Sequence, residues 1–205
     1  MGKLEAEQIR LQSEQRRWQL GQLVVLDTSA LVHGPRLADW NPSSSLGLRD
    51  APIHIVVPIL VLDELDGLEE SSKPHTRQRA RDTLRWISAH VAGRSAVRVR
   101  ERGVERVDGH IAEIWGDVYL EVRVDEVGHS RLHVPDDEIV DGARAIQDLA
   151  GRRVTLVTND TAQAYRARLA EIEVAMVQDP VYDIDVRESA RREKEAAKQR
   201  QRDRG

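Results

Sequence analysis

Acidic residues fall at four places where predicted strands and helices of this 205-residue chain meet. The first predicted strand is followed by Asp27, and a later strand is followed by Asp160. Glu64 lies in the second turn of a predicted helix, and Asp136 and Asp137 open another. In open parallel sheets, ligands bind beyond the carboxyl ends of the strands. We therefore expect these carboxylates to lie close together at one edge of a sheet.

Ionised carboxylates that converge repel one another and raise one another's pKa values, so a cation is needed to neutralise them. The chain has no Cys, and its seven His have no spacing typical of a metal site. Ligands that are all oxygen point to a hard ion, Mg²⁺ or Mn²⁺. Such an ion polarises a phosphoryl oxygen and lowers the pKa of a bound water. The pattern therefore favours hydrolysis of a phosphodiester.

Helix capping is a simpler explanation for some of these acids. Asp27, Asp136 and Asp160 each precede or begin a predicted helix, where a carboxylate commonly accepts hydrogen bonds from free backbone N–H groups. Capping does not explain Glu64, which lies inside a helix whose other positions are mostly Ile, Leu and Val. It also does not explain why several acids should converge.

The elements that must position these acids alternate between strands and helices. Short apolar runs predict strands at 23–26, 53–57, 96–99, 154–158 and 174–177. Apolar residues at helical spacing predict helices at 75–91, 136–150 and 161–170. This alternation predicts an α/β fold, a three-layer α/β/α sandwich around a mostly parallel central sheet.

One stretch interrupts the alternation. Residues 117–125 and 130–134 have strand-like sequences on either side of Gly128. We predict that these two segments pair as an inserted β-hairpin, within an insertion at about 103–134.

Two extensions flank the predicted domain, which spans 22–180. Residues 1–21 predict an N-terminal helix, which docks either on its own domain or on another subunit of a homodimer. Residues 181–205 predict a charged C-terminal tail with few apolar residues, either a solvated helix or disordered.

The net charge of −4 is unevenly distributed along the chain. Residues 21–186 carry 19 bases and 28 acids, a net charge of −9. This excludes a nucleic-acid binder coated in positive charge, so a polyanionic substrate needs a cation in the acidic site. The longest apolar stretch, 53–62, is interrupted by His54 and Pro58 and is about half a membrane span. We expect a cytoplasmic protein with no membrane partner.

Five segments carry a resemblance to a known family. They are VVLDTSAL (24–31), VPILVLDELDGLEE (57–70), TRQRARDTLRWI (76–87), PDDEIVDGA (135–143) and VTLVTNDTAQAYRA (154–167). Together and in this order they resemble the PIN domain family of metal-dependent ribonucleases. The branch with a V-L-x-E-L-D-x-L helix and a T-N-D strand end is the most similar. The resemblance covers about residues 22–180, with 97–134 matching less well.

The resemblance implies roles for individual residues. Four acids match the family's catalytic and metal-binding acids: Asp27, Glu64, Asp136 and Asp160. Asp137 is a rival to Asp136 as a metal ligand, because both lie at the start of the same helix. Hydroxyl and amide side chains next to the acids would orient carboxylates and waters: Thr28, Ser29, Thr158 and Asn159.

The implied activity is that of an endoribonuclease dependent on Mg²⁺ or Mn²⁺. Its substrate would be single-stranded or locally unpaired RNA, cut to leave 3′-hydroxyl and 5′-phosphate ends. Arg77 and Arg81, among several bases on one predicted helix, either contact phosphates or form a solvated face.

Two questions about function stay open at this point. The same fold could be catalytically idle and bind RNA or protein, although all four acids are present. Among active enzymes, a toxin with an antitoxin-like partner competes with a housekeeping RNA-processing nuclease. The insertion and the two flanking segments favour the housekeeping enzyme.

Overall fold

The computed structural model describes residues 3–19, 21–93, 96–108, 110–126 and 128–178. The predicted tail at 181–205 lies outside these residues. The helices and strands of the described residues are, in chain order, α1 (Lys3–Trp18), β1 (Gln22–Leu26), α2 (Thr28–His33), α3 (Pro42–Ser45), β2 (Ile53–Pro58), α4 (Ile59–Leu68), α5 (Pro74–Val91), β3 (Val97–Arg100), β4 (Gly103–Val107), β5 (His110–Trp115), β6 (Val118–Arg123), α6 (Pro135–Ala150), β7 (Val154–Val157), α7 (Thr161–Leu169) and β8 (Glu173–Ala175).

Six strands form the main sheet, in the order β3-β6-β2-β1-β7-β8. All neighbours pair in parallel except β3, which is antiparallel to β6. Strand β1 lies between β2 and β7, and its central residues Val24 and Val25 are fully buried. Helices flank the sheet, so the predicted α/β/α sandwich with a mostly parallel sheet is confirmed. No helix in the described ranges is long and apolar enough to cross a membrane.

The predicted pairing of 117–125 with 130–134 is wrong. Strand β6 lies inside the main sheet, in parallel with β2, and Val118 is opposite Ile53. Residues 130–134, all of which the structure describes, form no strand. The hairpin is made instead by β4 and β5, a separate two-stranded sheet within the predicted insertion.

The polar residues of β6 explain this error. Val118 and Leu120 are buried, and the alternating polar residues suggest a face open to solvent. However, Tyr119 stacks on His54 with 4.9 Å between ring centroids, and Glu121 is 4% exposed. The strand is therefore covered on both faces, and its alternating sequence resembles that of a half-exposed hairpin.

Helix α1 covers Glu121. Trp18 is buried and donates its indole N–H to Glu121, and Arg17 forms an ion pair with the same carboxylate at 3.2 Å. Arg152 donates to the carbonyl oxygens of Trp18 and Gln19, which are among the groups that the last turn of a helix leaves without partners. The N-terminal helix therefore docks on its own domain.

His54 lies in this packed region and is 8% exposed. Its pKa is lowered to about 4, mostly by burial and also by the nearby charges of Arg17 and Arg152. In the unfolded chain the imidazole regains its usual pKa of about 6.5. Between these two pH values the unfolded chain binds a proton at His54 that the folded protein does not. Stability is therefore lost as the pH falls from 6.5 towards 4.

We expect His54→Phe to remove this part of the pH dependence, because Phe keeps a ring beside Tyr119 and does not titrate. Between pH 7 and pH 5, the free energy of unfolding of the wild type should fall by about 2 kcal/mol more than that of the variant. Urea unfolding at the two pH values measures the difference. Equal losses in both proteins would contradict the assignment.

Candidate active site

A cavity of about 370 Å³ lies beyond the carboxyl ends of β1, β2 and β7. Four acids line it, each from a different segment of the chain. Asp27 follows β1, Glu64 lies in α4, Asp136 is in the first turn of α6, and Asp160 follows β7. The structure thus brings the four predicted acids to one cavity at the predicted edge of the sheet.

Asp27 is the most deeply buried of these acids, at 1% exposure. Its carboxylate caps α2 by accepting the backbone N–H of Ala30 at 2.7 Å, and it also accepts the hydroxyl groups of Ser29 and Thr158. The pKa of Asp27 is raised to about 6, because the effect of burial, with a smaller one from the nearby Asp160, exceeds the opposing effect of the hydrogen bonds. A cation in the cavity would favour the ionised carboxylate.

Hydroxyl groups join the ends of β1 and β7. The side-chain oxygens of Ser29 and Thr158 are 3.1 Å apart. Backbone N–H groups after β7 donate to them, from Asn159 to Ser29 at 2.8 Å and from Asp160 to Thr158 at 3.0 Å. Asp160 also caps α7 by accepting the backbone N–H of Gln163 at 2.9 Å. Two of the predicted orienting residues, Ser29 and Thr158, therefore bond Asp27 or the backbone of Asp160. The side-chain amide of the third, Asn159, donates instead to the carbonyl oxygen of Val177 at 2.9 Å.

Glu64 is held by the fourth predicted orienting residue, Thr28, which directly follows Asp27. The hydroxyl of Thr28 donates to Oε2 of Glu64, which connects α2 to α4. Helix α4 buries Val61 and Leu65 completely, and these anchors fix its rotation about its axis. The acid next to Glu64 in the sequence, Asp63, is exposed and pairs with Arg131 outside the cavity.

The structure separates Asp136 from its rival Asp137. Both lie in the first turn of α6, but Asp136 lines the cavity and Asp137 does not. Arg166 of α7 pairs with both carboxylates, through Nη1 with Asp136 at 2.9 Å and through Nε with Asp137 at 3.0 Å. The sequence left these two acids equivalent, and their placement favours Asp136 as the one that faces a ligand.

The four carboxylates share the cavity but do not form a tight cage. Within the described ranges, no three Asp, Glu or His side chains are grouped closely enough to hold an ion as they are placed. The acidic donors are nevertheless all oxygen, and Mg²⁺ usually keeps several waters and takes one or two carboxylates. The donor set therefore fits a hydrated hard ion.

Neither arginine that was predicted to contact substrate lines the cavity. Arg77 donates to the backbone carbonyl of Ser71 at 3.0 Å, and Arg81 lines a neighbouring groove, where it is 3.8 Å from Glu69. Among the described residues that line the acidic cavity, Lys73 supplies a permanently charged basic side chain. It makes no ion pair with any described residue.

A family model described as PIN domain matches residues 24–178 and so includes all four cavity acids. The chain belongs to the PIN domain family. PIN domains are generally nucleases, bind nucleic acid and use divalent metals. A comparison with curated proteins finds no relative of this PIN domain.

We expect Thr158→Val to destabilise this PIN domain, because the hydroxyl bonds both the buried Asp27 and the N–H of Asp160. Leaving buried polar groups without partners should lower the free energy of unfolding by about 1–3 kcal/mol. Thr155→Val, in the strand that ends just before Thr158, is the matched control, since no described residue bonds the Thr155 hydroxyl. Urea unfolding of both variants measures the effect, and equal losses would show that the hydroxyl network contributes nothing.

Proposed function

We propose that this PIN domain is an endoribonuclease that depends on Mg²⁺ or Mn²⁺ and hydrolyses single-stranded or unpaired RNA. One observation carries the proposal: carboxylates from four separate segments line a single cavity beyond the carboxyl ends of three parallel strands. Capping alone accounts for Asp27 and Asp160 but not for Glu64, which lies in the interior of α4. A shared cation accounts for all of them.

The acids that would hold the cation are Asp27, Glu64, Asp136 and Asp160, with Asp137 outside the cavity. When bound, Mg²⁺ or Mn²⁺ supplies an activated water and stabilises charge on a phosphoryl oxygen. The chain's own contribution is to fix the carboxylates before substrate arrives. The residues we assign to this task are Thr28, Ser29, Thr158 and Asn159.

Lys73 supplies the positive charge that RNA needs at an acidic cavity. It lies just before α5, is exposed, and lines the cavity together with its neighbours Ser71, Ser72 and Thr76. A lysine ammonium can contact any phosphate oxygen of the backbone, so it positions RNA without reading its sequence. We assign it to a phosphate next to the scissile bond, in place of Arg77 and Arg81.

The presence of every acid in one cavity supports an active enzyme over an idle RNA-binding or protein-binding domain. A cytoplasmic location, and a housekeeping role rather than that of a toxin with an antitoxin-like partner, stay predictions from the sequence.

We expect Glu64→Gln to lower the rate of RNA cleavage roughly 100-fold or more, because it removes a charge from the cation's surroundings. Asp63→Asn is the matched control, since this adjacent acid on α4 is exposed outside the cavity and should leave the rate unchanged. The assay follows an unstructured RNA with Mn²⁺, with Mg²⁺ and with EDTA, beside single-stranded DNA of the same sequence.

Three results would contradict the proposal. They are cleavage that persists in EDTA, cleavage of DNA in preference to RNA, and equal activity of Glu64→Gln and the wild type.

Lys73→Gln should raise KM several-fold with little change in kcat, because a phosphate contact positions RNA without taking part in the reaction. The slope of log KM against log salt should decrease by about one. Arg85→Gln is the control, because Arg85 is exposed on α5, the helix that Lys73 precedes, but lines the neighbouring groove. Equal effects of the two substitutions would show that Lys73 acts only through the overall charge of the surface and not through a specific phosphate contact.

A further inference from the structure

Arg166 links the two acids that compete at the start of α6. Its Nη1 lies 2.9 Å from Oδ2 of Asp136, and its Nε lies 3.0 Å from Oδ1 of Asp137. The two contacts come from different nitrogens of one rigid guanidinium plane, so they fix the directions of both carboxylates together. Each carboxylate uses a single oxygen, and the other oxygen of Asp136 has no partner in the described ranges.

The helix ends explain why these residues meet. Asp136 and Asp137 lie in the first turn of α6, where the helix dipole favours negative charge. Arg166 lies in the last turn of α7, where the dipole favours positive charge. Helices α6 and α7 pack against each other, and the N-terminal end of α6, which favours acids, lies beside the C-terminal end of α7, which favours bases.

Exposure limits what this contact does for stability. The side chains of Arg166, Asp136 and Asp137 are 38%, 37% and 47% exposed. Ion pairs at this exposure contribute little to the free energy of folding. Their effect on geometry is larger, because adjacent residues of a helix project about 100° apart and one guanidinium spans both.

We propose that Arg166 is a positioning residue, which presents Asp136 to the cation of the cavity and holds Asp137 away from it. The inference rests on the proposed function, since it takes the cavity as a Mg²⁺ or Mn²⁺ site. Without Arg166, the two acids become interchangeable ligands, each with a less defined orientation.

The test measures binding of Mn²⁺ alone to the full-length protein, by electron paramagnetic resonance of the free ion. Arg166→Lys keeps the charge but cannot span two carboxylates in the same geometry, so it should bind Mn²⁺ roughly 10-fold more weakly than the wild type. Arg168→Gln is the charge control, because Arg168 is exposed on the same helix and forms no ion pair with any described residue. Its Mn²⁺ affinity should equal that of the wild type within about two-fold. Thermal unfolding without metal establishes that every variant folds.

Exchange of the ligand gives a readout that a merely structural role would not change. In the wild type, Asp136→Asn should weaken Mn²⁺ binding strongly and Asp137→Asn should not. In the Arg166→Lys background, the two substitutions should have similar effects, because either acid can then reach the cation. A double-mutant cycle separates this coupling from the single effects.

The outcomes separate this inference from the proposed function. If the wild type binds Mn²⁺ and cleaves RNA but Arg166→Lys binds Mn²⁺ as tightly or more tightly, the positioning role is overturned and the nuclease proposal stands. An unchanged preference for Asp136 in the Arg166→Lys background also overturns it. A wild type that binds no Mn²⁺ overturns both.

Discussion

Asp27 places a carboxylate between β1 and β7 at a position that water barely reaches. A buried carboxylate is costly unless hydrogen bonds or a cation compensate for the lost hydration. The compensating donors come from the first turn of α2 and from Thr158 at the end of β7. The pairing of Leu26 with Val157 brings these donors into place. A slip of one residue would turn the Thr158 hydroxyl to the other face of the sheet.

The register between β1 and β7 determines both the packing of the sheet and the arrangement of the candidate site. The parallel register that buries the apolar strands also delivers Asp27 and Asp160 to the same edge. Both acids cap helices as well as line the cavity, so a capping role at the end of a strand does not prevent either carboxylate from facing a ligand. Asp27 and Asp160 can therefore be identified from their own segments of the chain, because each segment shows a strand end followed by a helix start.

Most of the site could be predicted from the sequence for that reason. Strand ends and helix starts can be recognised locally, and the order of strands and helices then determines which ends share an edge. Glu64 could be recognised because an acid inside an apolar helix has no capping role. The prediction of the α/β/α sandwich follows from the same local patterns.

The remainder depends on contacts between segments that are distant in the sequence. Glu121 looks solvent-exposed in its own strand, and its buried partner Trp18 lies 103 residues earlier. Asp136 and Asp137 are equivalent until Arg166, about thirty residues later, pairs with both. Lys73 belongs to the cavity because the connection between α4 and α5 passes its wall. No local periodicity encodes such contacts.

The docking of α1 has a consequence for where the folding unit begins. The family match starts at residue 24, inside β1, whereas Arg17 and Trp18 supply the partners of a carboxylate on β6. The homologous segment is thus smaller than the segment that must fold together. A fragment that begins at residue 24 would lack α1. One part of the sheet would then be uncovered, and the Glu121 carboxylate would lose its partners Arg17 and Trp18. Measurements on such a fragment would reflect the loss of α1 as much as the chemistry of the cavity.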